Sequence, residues 1–291
     1  MSVIVIAGPT ASGKTKLGVE LAKRLDGEII SCDSMQIYKE LPICSAQPTE
    51  EEKEGIPHHL MGFLPFDARF TAEDYRVLAE EKLRDIISRG KQPIIVGGTG
   101  MYFHFLIYKA DFLPENEEIR KKLNEFSTEE LYERLRGLDE GTAIAANDRK
   151  RISRALEVYE ITGKLPPDTF KERTRNTEFD YRLFCISPER QVLYDKINRR
   201  VDIMLENGLV DEVKRLYELG INESHQSYKA IGCRQLKEYF EGKISLSEAA
   251  EKIRQDSRHY AKRQLTWMRG EDAHWLNGTL EENINSILEK K

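Results

Sequence analysis

Two clusters near the start of the chain have residue types and spacing suited to phosphate chemistry. Gly8-Pro9-Thr10-Ala11-Ser12-Gly13-Lys14-Thr15 sets two glycines around four residues, then adds a lysine and a threonine. The glycines permit a backbone tight enough for several N–H groups to face one anion. Lys14 supplies a point charge, and the Thr15 hydroxyl is suited to Mg²⁺. The second cluster is Ser31-Cys32-Asp33-Ser34-Met35-Gln36. Its Asp33 is suited to taking a proton from an acceptor nucleophile, or to reaching Mg²⁺ through water. Asp33 can equally cap the turn Ser34–Tyr38 with its side chain, and the residues alone leave both roles open.

ATP hydrolysis does not follow from the loop. P-loop ATPases hold Mg²⁺ with a carboxylate at the end of an apolar strand. Here the corresponding stretch, Pro93-Ile94-Ile95-Val96, runs into Gly97-Gly98-Thr99-Gly100 with no acid. Thr99 and the glycine backbone are suited to an anion instead. The residues therefore imply a P-loop transferase whose acceptor must be deprotonated, with a small-molecule kinase left open.

The elements that must position these clusters are legible in the hydrophobic pattern. Val3–Ala7 reads as a buried strand, and Leu17, Leu21 and Leu25 mark an amphipathic helix that begins at Lys14. Glu28–Ser31 is a second short strand. Thr71 caps a helix with an apolar face of Tyr75, Leu78, Leu83, Ile86 and Ile87; Gly90 ends it, and Pro93–Val96 is the next strand. This β-α-β-α-β order predicts an α/β fold with a parallel sheet and helices on its faces. All three strands end in polar or Gly-rich turns, which should converge on one crevice at their carboxyl ends.

The pattern changes after Leu113-Pro114. From Glu115 to about Gly163 the chain is charged and helical. Ser127-Thr128-Glu129-Glu130 has the form of a capping box, and Ile152, Ala155, Leu156 and Tyr159 form a helical stripe. Pro166–Thr177 reads as loop, and strand character returns at Tyr181–Ile186. Residues 1–113 and 181–291 are thus expected to form one discontinuous core around a helical insertion at 114–180.

The 291 residues carry a net charge of −5, but the stretch 149–200 holds 13 Lys/Arg against 8 Asp/Glu. That asymmetry suggests a surface facing a polyanion inside an acidic protein. Four scattered cysteines without metal or disulfide spacing fit reduced thiols. The adjacent pair His58-His59 cannot easily share one ion, because neighbours on an extended segment point opposite ways. With no apolar run long enough for a membrane span and no basic-then-apolar opening, the expected location is the cytoplasm.

Taken in order, "GPTASGKT", "SCDSMQIY", "IPHHL", "VGGTGMYF", "DRKRISRALEVYEITGK", "INRRVDIMLENGLVDEV", "YKAIGCRQL" and "AKRQLTWMR" resemble the tRNA dimethylallyltransferases (tRNA isopentenyltransferases). The resemblance runs through nearly the whole chain. It implies a P-loop NTPase-like core with an all-helical insertion, and transfer of a dimethylallyl group from dimethylallyl diphosphate to N6 of the adenosine 3′ to the anticodon. Pyrophosphate would leave. The donor's diphosphate would lie on Gly8–Thr15, with Mg²⁺ on Thr15.

By the same resemblance, Asp33 is the general base, Thr10 a loop threonine beside the reacting centre, and Lys14 and Arg200 the cations on the diphosphate. Asp33, Ser34, Met35 and Gln36 match the stretch contacting the extruded base, with Gln36 able to bond a base edge. Thr99, Arg120, Lys150, Arg151, Ile152, Ser153 and Arg154 match positions that contact the tRNA anticodon stem-loop. Arg258, Lys262, Arg263 and Arg269 form a second basic set suited to phosphates, with Tyr260 and Trp267 between them. The enzyme is expected to act as a monomer, without a membrane. The rival readings are an adenylate isopentenyltransferase and a P-loop kinase.

Overall fold

Runs of β-branched residues too apolar to face water on either side build the central sheet, as parallel strands covered on both faces require. A computed structural model describes residues 1–109, 112–166 and 174–290. In chain order it begins with β1 (Val3–Ala7), α1 (Lys14–Leu25), β2 (Gly27–Cys32), α2 (Glu50–Lys53), β3 (His58–His59), α3 (Ala72–Ser88), β4 (Gln92–Gly97) and α4 (Gly100–Ile107). Next come β5 (Tyr108–Lys109), α5 (Glu117–Asn124), α6 (Thr128–Leu138), α7 (Arg149–Thr162) and β6 (Thr174–Arg175). The remaining elements are β7 (Tyr181–Ile186), α8 (Arg190–Glu206), α9 (Leu209–Glu218), α10 (Cys233–Phe240), α11 (Leu246–Met268), β8 (His274–Leu276) and α12 (Leu280–Lys290).

The chain divides into two compact units, Met1–Ile107 with Asn176–Lys291, and Tyr108–Arg175. The larger holds a six-stranded sheet in the order β3-β2-β4-β1-β7-β8, and every pairing is parallel. β1 is wholly buried at the centre. The chain first builds outward on one side of β1 and later returns to build the other, so the loop after β1 emerges where the connections diverge. That is where open α/β sheets bind ligands. On one face, Leu17, Leu21 and Ala22 of α1 and Ile284 and Ile287 of α12 pack against Ile4, Ile6, Ile29 and Phe184. Tyr75 of α3 and Tyr102 of α4 stack on each other with ring centroids 4.1 Å apart.

The α3 capping box is present, with the Thr71 hydroxyl accepting from the Asp74 N–H and the Asp74 carboxylate accepting from the Thr71 N–H. Two edge strands, β3 and β8, lie outside the strands read from sequence; they are two and three residues long. At Gly97 a Cβ would lie 2.1 Å from the Cys32 carbonyl oxygen, so only glycine permits β2 and β4 to end this close together.

The smaller unit is a helical cluster. Leu123, Leu131, Leu135, Ile152, Ala155 and Leu156 from α5, α6 and α7 form its core. Ser127 starts α6 through the expected capping box. β5 and β6 pair antiparallel, so Thr174–Arg175 is a short strand within the stretch 166–177 read as loop; residues 167–173 of that stretch lie outside the described residues. The unit divides from the larger one at 107/108 and 175/176, where sequence placed the changes at 113/114 and 180/181.

Candidate active site

The turns after β1, β2 and β4 meet at one place. The N–H groups of Gly98 and Thr99 both donate to the Cys32 carbonyl, at 3.1 Å each. The Ser34 N–H then donates to the Thr99 hydroxyl at 3.0 Å. These bonds fix Asp33 and Ser34 beside the glycine-rich turn of β4. The loop after β1 joins them through the Gly8 N–H, which donates to the Gly97 carbonyl at 3.3 Å.

Gly13 ends that loop at φ 90° and occupies the cap position of α1, where no side chain caps the helix. Within the loop, the Ser12 N–H is spent on the Pro9 carbonyl and the Thr10 N–H on Gln264 Oε1 at 2.9 Å. The N–H groups of Ala11, Gly13, Lys14 and Thr15 have no acceptor among the described residues. Orphan amides at a helix start, backed by its dipole, form an anion cradle.

Two half-buried cations lie beside this cradle. Lys14 Nζ donates to the Pro9 carbonyl at 3.2 Å. Burial, helped by the charge of Arg200 and opposed by Asp33, brings the Lys14 ammonium down to about 8 from its usual 10.5. Arg200, carried by α8, donates to the Thr10 hydroxyl and to the Ala46 carbonyl, both at 3.2 Å. Burial also lowers the Arg200 guanidinium, while Asp33 and Glu52 raise it. The cavity at this site is lined by five cations, Lys14, Arg200, Lys229, Arg234 and Arg263, against the carboxylates of Asp33 and Asp256, an excess that favours an added anion.

Asp33 serves the turn and keeps a free oxygen. Its Oδ1 accepts from the N–H groups of Met35 at 2.9 Å and Gln36 at 3.4 Å. Its Oδ2 has no hydrogen-bond partner among the described residues. The capping role and a proton-accepting role are therefore compatible in one side chain.

These groups line a cavity of about 520 Å³ in the larger unit, a size typical of small-ligand sites. Its polar lining includes Thr10, Lys14, Thr15, Asp33 and Arg200, together with Lys229, Arg234, Asp256 and Arg263. Its apolar lining includes Ile29, Met61, Val96, Ile197, Val201 and Met204. Helix α11 also contributes Ser257, Tyr260 and Gln264, spaced to share one helical face. Charge counting on α11 reaches Tyr260 only as a neighbour of the basic set, and it overlooks Ser257 and Gln264. The available signal is the opposite one, uncharged polar residues three and four apart on a long helix.

Several residues singled out from sequence have other partners. Gln36 cannot offer its amide freely to a base edge. Its Nε2 donates to the Ala46 carbonyl at 3.0 Å and the Ser45 carbonyl at 3.4 Å, and its Oε1 accepts from the Ser31 hydroxyl at 3.1 Å. Ile152 is fully buried in the core of the smaller unit, so its side chain cannot meet RNA. Arg120 and Arg154 clamp the buried carboxylate of Glu157 at 2.9 and 2.7 Å. Arg154 also donates to the carbonyls of Leu113 and Pro114. Lys150 and Arg151 are exposed on α7, and Ser153 is partly covered. In the second basic set Arg258 is tied to Asn198 and Glu251, while Arg263 lies over the Tyr260 ring. Trp267 is half-buried and stacks on Phe103. His58 and His59 do point apart, His58 to the Ile56 carbonyl and His59 to Glu28.

Comparison with known proteins gives a consistent picture. The family model described as IPP transferase matches residues 36–271. The tRNA dimethylallyltransferase of Anoxybacillus flavithermus is 45% identical, over 98% of this chain and 94% of its own. That of Bacillus velezensis is 44% identical, over 99% and 95%. A crystal structure of tRNA delta(2)-isopentenylpyrophosphate transferase from Staphylococcus epidermidis aligns with a TM-score of 0.74 at 44% identity, over 99% of this chain and 98% of that one. A eukaryotic dimethylallyltransferase acting on tRNA aligns with a TM-score of 0.86 at 30% identity, over 100% and 80%.

Proposed function

The chain belongs to the IPP transferase family, and from that membership we infer that it transfers a dimethylallyl group to an adenosine of tRNA. The donor in this reading is dimethylallyl diphosphate, and the acceptor atom is N6 of the adenosine 3′-adjacent to the anticodon. The observation that supports the donor assignment is the pairing of orphan amides and two half-buried cations with apolar lining residues in one cavity. A diphosphate satisfies the first set and a branched hydrocarbon tail the second.

The chemistry follows from that placement. The N6 lone pair forms a bond to the allylic carbon as the bond from that carbon to the diphosphate oxygen breaks, and pyrophosphate departs. Charge builds on the leaving oxygens, where the amides of Ala11, Gly13, Lys14 and Thr15 and the side chains of Lys14 and Arg200 stabilise it; contacts of this kind contribute about 3–4 kcal/mol each to a transition state. Adenine N6 is a weak nucleophile because its lone pair is delocalised into the ring. Asp33 Oδ2 takes the departing N6 proton as the new bond forms. The acceptor base must leave its stack to reach the cavity.

The Thr15 hydroxyl would be the protein's contact to Mg²⁺, which would supply charge neutralisation at the leaving group. Among the described residues no group of three or more His, Cys, Asp or Glu could hold an ion without the substrate. In the smaller unit, the exposed Lys150 and Arg151 are the residues proposed to meet tRNA phosphates.

The test is incubation with radiolabelled dimethylallyl diphosphate and Mg²⁺, with tRNA, AMP or neither. Label in tRNA with matching pyrophosphate is the expected result. Label only in AMP, or consumption of ATP by phosphoryl transfer, would replace this reading with one of its rivals.

A further inference from the structure

The P-loop of this chain departs from a plain anion nest at Thr10, and the departure traces to α11. Gln264 is 5% exposed and sits against the loop. Its Oε1 accepts the Thr10 N–H at 2.9 Å, and its Nε2 donates to the Gly98 carbonyl at 3.0 Å. One amide thus spans the turn after β1 and the turn after β4. The space is shared closely: a Cβ on Gly98 would lie 2.1 Å from Gln264 Nε2. With its N–H turned toward α11, Thr10 contributes to the cavity through its hydroxyl, which accepts from Arg200 at 3.2 Å. A hydroxyl that accepts from a guanidinium keeps its own proton to donate.

We propose that Gln264 is a positioning residue for the transfer reaction. It withdraws the Thr10 N–H from the anion cradle and aims the Thr10 hydroxyl, together with Arg200, at the leaving oxygen of the allylic diphosphate. The proposal rests on the reading of the cavity as an allylic diphosphate site. Its distinguishing consequence is a split between binding and turnover. The cradle amides of Ala11, Gly13, Lys14 and Thr15 do not depend on Gln264, so ground-state pyrophosphate binding survives its loss. Alignment at the leaving oxygen does not survive, and small misplacements there cost rate steeply.

Three measurements on the full chain test this. In Gln264→Ala, kcat for transfer should fall about 10- to 100-fold while pyrophosphate affinity stays within about threefold of wild type. Amide hydrogen exchange at Thr10, followed by NMR, should accelerate in the same variant. Gln264→Glu should recover turnover as pH falls from about 8 to 6, because a buried carboxyl is pushed upward and its protonated form both donates and accepts as glutamine does. Parallel loss of kcat and pyrophosphate affinity, an unchanged Thr10 exchange rate, or a Gln264→Glu profile that tracks wild type would each overturn the proposal. If wild type transfers no label, the functional reading fails instead, and the Thr10 exchange rate still decides whether Gln264 positions the loop.

Discussion

Lys14 makes donor binding depend on pH in a direction the site fixes. In the free protein its ammonium is held at about 8, chiefly by burial and then by Arg200. A diphosphate seated on the adjacent amides favours the charged form, so it should return the group toward 10.5, its ordinary value. Protonation and binding then support each other. Affinity is complete below pH 8 and is lost as pH rises toward the bound-state value. At pH 9.5 free Lys14 would be protonated in only about one molecule in 30, against about nine in ten when bound. Affinity should accordingly fall about 30-fold between pH 7 and 9.5, or about 2 kcal/mol. Calorimetry with an unreactive thio analogue of dimethylallyl diphosphate measures this directly, because the ligand's own last ionisation, near about 6, is finished before the window opens. Lys14→Arg, whose charge persists, should flatten the response. Wild-type affinity that is constant or rising from pH 7 to 9.5 would refute the reasoning.

Asp33→Asn keeps an acceptor for the Met35 and Gln36 N–H groups but removes the proton acceptor, so transfer should fall by about 10²- to 10⁴-fold. Pyrophosphate should bind Asp33→Asn at least as tightly as wild type, and undiminished turnover would remove Asp33 from the base role. Gly97→Ala forces a methyl group against the Cys32 carbonyl, and a drop of about 2–4 kcal/mol in unfolding free energy is expected; a melting temperature within about a degree of wild type would contradict that packing. Glu157→Ala leaves Arg120 and Arg154 without their shared buried partner. The arginines are about a third exposed and therefore partly screened, so thermal unfolding should report about 1–3 kcal/mol of lost stability. Pyrophosphate affinity should not change in that variant, and a loss of donor binding would show that the ion pairs do more than hold the smaller unit together.

The parts legible in sequence are those where local pattern and tertiary role coincide. β1 and β4 are buried on both faces and carry the continuous apolar runs Val3–Ala7 and Pro93–Val96, β2 and β7 keep shorter apolar stretches, and the caps of α3 and α6 announce themselves by side-chain spacing. β3 and β8 were illegible because two or three residues have no period, and they pair only because the sheet offers them an edge. α4 is apolar on nearly every side, which hides its helical period. At the site, the loop and Asp33 follow from chemistry that needs those residue types. Gln36, Arg120 and Arg154 did not yield to that logic, since whether an amide or guanidinium is free depends on neighbours distant in sequence. Gln264 shares a legible polar face of α11, but its partner Thr10 lies 254 positions away, so the bond between them is beyond the reach of any local pattern.

The most direct test of the central claim is a crystal structure of the protein with the thio donor analogue and an anticodon stem-loop RNA. The account predicts the diphosphate on the amides of Ala11, Gly13, Lys14 and Thr15 between the Lys14 and Arg200 side chains, the hydrocarbon tail against the apolar lining, and N6 between the allylic carbon and Asp33 Oδ2, each at about 3–3.5 Å. A diphosphate bound away from that loop, or an allylic carbon out of reach of both N6 and Asp33, would contradict it.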